Sequence, residues 1–150
     1  MKRIPPGVSI PVILFLLLLL PLMAAHHHQA LWGQVLWLFL GAGFGEEIFF
    51  RGYIQSRVDE AFGCQFNWLE LQFGVGLLVS SLLFGFTHSL NTVDYFHGRF
   101  DFGWSYGLEA FAEGILYGGI RAKTGSVLPG AITHGLLDIF ARIPKLLLNV

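Results

Sequence analysis

Two carboxylates and a guanidinium stand together in the block Gly45-Glu46-Glu47-Ile48-Phe49-Phe50-Arg51-Gly52, inside an otherwise apolar segment. A charged group at membrane depth costs roughly 3 kcal/mol or more, so one that is kept there has a partner or a task. Glu47 and Arg51 are four residues apart, which on a helix puts them on one face with the acid on the favourable amino-terminal side and predicts an internal ion pair. Glu46 is turned about 100° from Glu47 on a 3.6-residue helix. It is then the acid left without a cation, and a carboxyl in that position is suited to take a proton from water as a general base. A helix end emerging into the interface, with all three groups solvated, explains the same residues without chemistry.

Two histidines extend the set. His88 lies in Phe84-Gly85-Phe86-Thr87-His88, near the end of a later apolar segment, where an interfacial residue is the plainer reading. His134 lies in Thr133-His134-Gly135-Leu136-Leu137-Asp138. Asp138 follows it by one turn on the same face, where it can orient the imidazole or help hold a water. An acid and two histidines can bind a zinc-like divalent metal in an open three-ligand site, with Glu46, His88 and His134 as ligands. They can equally activate water directly while a histidine stabilises the oxyanion. These residues do not choose between the two chemistries, and HExxH is absent, so no single helix specifies zinc.

Other polar residues rank lower. His26-His27-His28 is a short tract in an expected loop, and His97 has similar standing. Glu109 and Glu113 share a helix face, with Glu113 the outside candidate for a cavity-lining acid. Cys64 is the only cysteine, so no intrachain disulfide exists, and it reads as an ordinary small apolar residue.

The elements that position these residues are set by composition. The chain is 54% hydrophobic and 13% charged, with mean hydropathy +0.62. A soluble domain carries about 25% charged residues, so the deficit points to lipid. A net charge of -1 without a basic run gives no footprint for nucleic acid.

Residues 8–25 form an apolar block of 18 residues behind Lys2 and Arg3, enough for one span and read as an uncleaved signal anchor. Residues 31–57 read as one long helix, 71–93 as a third span, 94–104 as a loop, 106–120 as a fourth apolar segment, and 127–142 as a last helix stopped by Pro144. Pro129 falls where a first turn tolerates it. Trp32, Trp37, Trp104 and Tyr106 fit interfacial anchors.

The expected fold is all-α, a polytopic transmembrane bundle of about five membrane helices. Residues 1–29 form an amino-terminal span and loop, and residues 30–150 form the functional core. Lys2, Arg3, Arg57, Arg121 and Lys123 fall on one side of that arrangement against Arg99, Arg142 and Lys145, which makes the amino end cytoplasmic.

Three motifs in order carry a resemblance. Glu46-Glu47 with Arg51, Phe84 with His88, and His134 with Asp138 reproduce EExxxR, FxxxH and HxxxN/D, flanked by FFRGYIQ, SSLLFGFTH and TGSVLPGAITHGLLD. The chain thus resembles the CPBP family of intramembrane proteases (CAAX protease and bacteriocin-processing, also called Abi or Rce1-like) over residues 40–140. The resemblance implies an endopeptidase in the cell membrane of a prokaryote, acting on membrane-associated or lipid-modified protein or peptide substrates.

By the same resemblance, Glu46 would activate the water, with Glu47 and Arg51 supporting it. His88 would place the water or a metal, and His134 with Asp138 would hold the water or stabilise the oxyanion. Asp138 stands where many members have asparagine, and an acid gives that hydrogen bond only when protonated. A non-catalytic protein of the same fold, acting in bacteriocin immunity or membrane assembly, is the competing expectation. Transport is a more distant one, since no inverted repeat is visible.

Overall fold

The structure, a computed structural model, describes residues 31–148. The span expected over residues 8–25 and the histidine tract after it lie outside the described residues. In chain order the elements are α1 (Leu31–Leu36), the π-helical stretches π1 (Trp37–Glu46) and π2 (Ile48–Gln55), α2 (Ser56–Phe62), strands β1 (Phe66–Trp68) and β2 (Leu71–Phe73), α3 (Val75–Ser89) with a 3₁₀ turn (Leu90–Thr92), α4 (Trp104–Thr124) and α5 (Leu128–Leu148). They fall into two compact units, one taking the residues up to Phe49 together with those from Ala131, the other Phe50–Gly130.

The long helix expected over 31–57 is helical, but from Trp37 to Gln55 it is wound as two π-helical stretches. Bonds from i to i+5 widen the turn, and such stretches are concentrated at functional sites. The sequence here is Gly41-Ala42-Gly43-Phe44-Gly45, whose small residues leave room around the backbone. At Gly41 the Trp37 ring lies where a Cβ would stand, 2.6 Å from its Cε3.

In the first unit, π1 packs on α5 through backbone. A Cβ at Gly43 would stand 2.7 Å from Gly135 Cα and 3.0 Å from the Ala131 carbonyl oxygen. Small residues at a helix crossing allow this approach, and close packing is what joins helices in lipid. α5 does not stop at Pro144; it runs to Leu148. A proline forfeits one backbone bond but in an apolar setting the surrounding turns have no better partners than each other.

The second unit is built on α3 against α4. A Cβ at Gly85 would stand 2.6 Å from the Gly107 carbonyl oxygen, and one at Gly114 would stand 3.0 Å from Ser81 Cα, so these two helices also touch backbone to backbone. The buried serines on this face satisfy themselves within the helix: Ser81 Oγ donates to Leu77 O at 2.7 Å and Ser89 Oγ to Phe86 O at 2.7 Å. Among the described residues one helix, Val75–Thr92, is long and apolar enough to cross a membrane.

The all-α expectation needs one correction. Residues 66–73, whose second half was assigned to the third span, form a hairpin pairing Phe66 with Phe73 and Trp68 with Leu71. Its two turn residues, Leu69 and Glu70, have φ of 48° and 65°. That is the left-handed geometry of a tight hairpin turn, normally signalled by Asn-Gly. Strands of three residues show no readable alternation, and the turn residues gave no cue.

Helix ends follow elementary rules. α2 and α4 stop at Gly63 and Gly125, both at positive φ, with N–H groups bonded to Asp59 O and Arg121 O. The start of α3 has no cap from its own first residue; the Gly76 N–H is taken by Asp59 Oδ1 of α2 at 2.9 Å. Asp59→Ala is therefore expected to cost about 1 kcal/mol, read as a lowered thermal midpoint in detergent, with Asp59→Asn retaining most of it.

Candidate active site

The Gly43–Gly135 approach decides what the next turn does. Glu47 lies four residues after Gly43, and its Oε1 meets His134 Nδ1 at 3.2 Å with both side chains almost fully enclosed, 0% and 3% exposed. A carboxylate only accepts, so Nδ1 carries the proton and donates it; Glu47 fixes the tautomer and the ring plane. On the far side, His134 Nε2 lies 3.6 Å from Asp138 Oδ2, too long for a hydrogen bond. Asp138 is one-third exposed and Glu46 is half-buried. Glu47, Asp138 and Glu46 all act on the His134 ring electrostatically.

The structure thus brings Glu46, Glu47, His134 and Asp138 together in the first unit. Sequence reasoning gave the orienting role to Asp138 and missed that Glu47 makes the close contact to the ring. The signal that was available is the pair of small residues, Gly43 one turn before Glu47 and Gly135 next to His134.

Arg51 and His88 belong to the second unit, where they share one aromatic ring. The Arg51 guanidinium is fully buried, with Cζ 4.3 Å from the Phe84 centroid and 5.3 Å from that of Tyr117. Desolvated stacking of this kind contributes about 2 kcal/mol. Gly114 makes room for it, since a Cβ there would come 3.2 Å from Arg51 Nη2.

On Phe84, the His88 ring packs with centroids 4.2 Å apart, and His88 Nδ1 donates to the Phe84 carbonyl at 2.8 Å. The neutral ring therefore keeps its lone pair on Nε2. The FxxxH spacing has a physical content here: one phenylalanine supplies both the backbone acceptor and the apolar wall. Tyr106, expected as an interfacial anchor, meets the His88 ring edge-on at 5.4 Å. Tyr117 is fully buried and was not singled out from the sequence.

The remaining candidates separate. Glu109 and Glu113 are exposed on α4. His97 pairs with Asp94 at 2.7 Å on an exposed loop. Cys64 is exposed rather than packed.

Among the described residues no group of three His, Cys, Asp or Glu side chains is set to hold a metal ion. Of the donors named for one, His134 turns Nδ1 to Glu47 and Nε2 toward Asp138.

The type II CAAX prenyl endopeptidase Rce1-like family model matches residues 28–140. The chain belongs to the Rce1-like family. Its members are integral to the membrane, and protease activity is the family's activity. No curated protein and no solved structure matches the chain.

Proposed function

We propose that this Rce1-like chain is an intramembrane endopeptidase that cleaves membrane-associated or lipid-modified protein substrates with a water activated by Glu46. The observation that carries the reading is the enclosed Glu47–His134 contact at 3.2 Å. Burying an acid against an imidazole is costly for stability alone, and the arrangement fixes a histidine as catalysis requires. Glu46, the neighbouring residue, is not the partner in that contact.

In the proposed reaction Glu46 takes a proton from water as the water oxygen adds to the scissile carbonyl carbon. The oxyanion so formed is stabilised by the Nε2–H of a doubly protonated His134 ring, on the side away from Glu47. Glu46 then returns its proton to the amide nitrogen, the C–N bond breaks, and acid and amine products result. His88 enters through its motif, as an imidazole whose Nε2 lone pair accepts from water. Arg51 supports the fold of its own unit. No step is routed through a metal.

The test is hydrolysis of a peptide library, including isoprenylated carboxyl-terminal peptides, by the protein purified in detergent, with and without chelator. Cleavage that persists in chelator is the expected outcome. Loss of cleavage in chelator with recovery on adding zinc would replace the direct-water route. A protein that inserts and folds yet cleaves nothing would remove the enzyme reading and favour the immunity or assembly role.

A further inference from the structure

A polar cleft of about 340 Å³ opens within the second unit, lined by Gln55, Ser56, Asp59, Gln72 and Arg121 among others. It joins the end of π2, α2, the hairpin and the last turn of α4. Arg121 is held in place: its Nη2 donates to Ser56 Oγ at 3.2 Å, and that hydroxyl spends its own proton on the Arg51 carbonyl at 3.0 Å.

Two of the three acid and base charges at the cleft stay open to a ligand. Glu60 is neutralised by Arg57 at 2.6 Å. Asp59 gives one oxygen to the Gly76 N–H and faces Arg121 electrostatically, yet among the described residues no ion pair joins those two. Burial pushes the Asp59 carboxyl up from its ordinary value, while the Gly76 N–H and Arg121 pull it down. A cation delivered by a ligand would relieve that burial cost. The cleft therefore offers a fixed guanidinium on one wall and a carboxyl on another, held apart.

Its place in the fold says what delivers both charges. Asp59 caps the first turn of the helix that carries the Val75–Thr92 apolar stretch, so the cleft is at the water–lipid end of that stretch. The adjoining hairpin exposes Phe66, Trp68 and Leu69 at 40%, 68% and 80%, side chains suited to the interface. We infer that this cleft holds the headgroup of a zwitterionic phospholipid, its phosphate on Arg121 and its ammonium against Asp59. The inference is independent of the proposed reaction, since none of its residues acts there.

The experiment is thermal unfolding of the full chain in detergent with added phosphatidylethanolamine, phosphatidylglycerol of the same acyl chains, free phosphoethanolamine, or inorganic phosphate. Phosphatidylethanolamine is expected to raise the midpoint by on the order of 5 °C, more than any of the others. Arg121→Gln should abolish the shift. Asp59→Asn, which keeps an acceptor for Gly76, should equalise the two lipids, and it decides the matter if Arg121→Gln does not fold. Equal shifts from both lipids in the wild-type protein would overturn the inference, as would an equal response to free phosphoethanolamine or an unchanged preference in Asp59→Asn.

Discussion

Glu46→Gln is expected to lower kcat by about 10³-fold with little change in KM or in thermal midpoint. Glutamine keeps the shape and the acceptor oxygen of glutamate but cannot take up a proton, so only the proton transfer is lost. The position favours such a clean result. Glu46 is half-buried at the end of π1, with one carboxylate oxygen closed off from solvent, and it is the neighbouring Glu47 that meets His134. Turnover of a cleavable peptide by reconstituted protein, compared with unfolding of the same preparation, measures both halves. Turnover within a few-fold of wild type would remove Glu46 as the base.

The second large effect is expected at Glu47, through a different route. Glu47→Ala leaves the His134 Nδ1–H enclosed without its acceptor, a loss of about 1–3 kcal/mol in stability, and frees the ring to rotate. Glu47→Gln can still accept from Nδ1 through its amide oxygen, so the fold should survive while kcat falls by on the order of 10² to 10⁴, the scale seen when an orienting acid beside a catalytic histidine is neutralised. Because Glu47 acts through His134 and not on substrate, the loss should fall on kcat and leave KM in place. Glu47→Asp, which restores the charge, should recover part of it. A merely structural Glu47 would instead show activity tracking the folded fraction across all three variants. His134→Ala combined with Glu47→Gln provides the remaining control: the double variant should be no worse than His134→Ala alone, since a positioning residue has nothing left to position.

Several features were legible in the sequence because they rest on residue type and order. The shortage of charge, the three motifs and their order, and the apolar stretch ending near His88 each follow from local chemistry. So did Pro129 in a first turn, where Ser126 Oγ accepts the Leu128 N–H at 3.2 Å. The hairpin was not legible, because its strands are three residues long and its turn residues are leucine and glutamate. The π winding was not legible either: hydrophobic periodicity over Gly41–Gly45 is too weak to distinguish turns of different width.

What the amino-acid order determined by itself is which ionisable groups this chain carries into an apolar setting, and that they must be enclosed by helices. Which groups meet was decided only in three dimensions. Glu47 and His134 are 87 residues apart, and their contact depends on two glycines, Gly43 and Gly135, letting one backbone lie on another. Likewise Phe84 serves Arg51 and His88 together only because Gly114 leaves space for a guanidinium. Spacing along one helix can predict its own neighbours, but a pairing across helices depends on the absence of side-chain atoms at the crossing, and an absence leaves no periodic trace in a sequence.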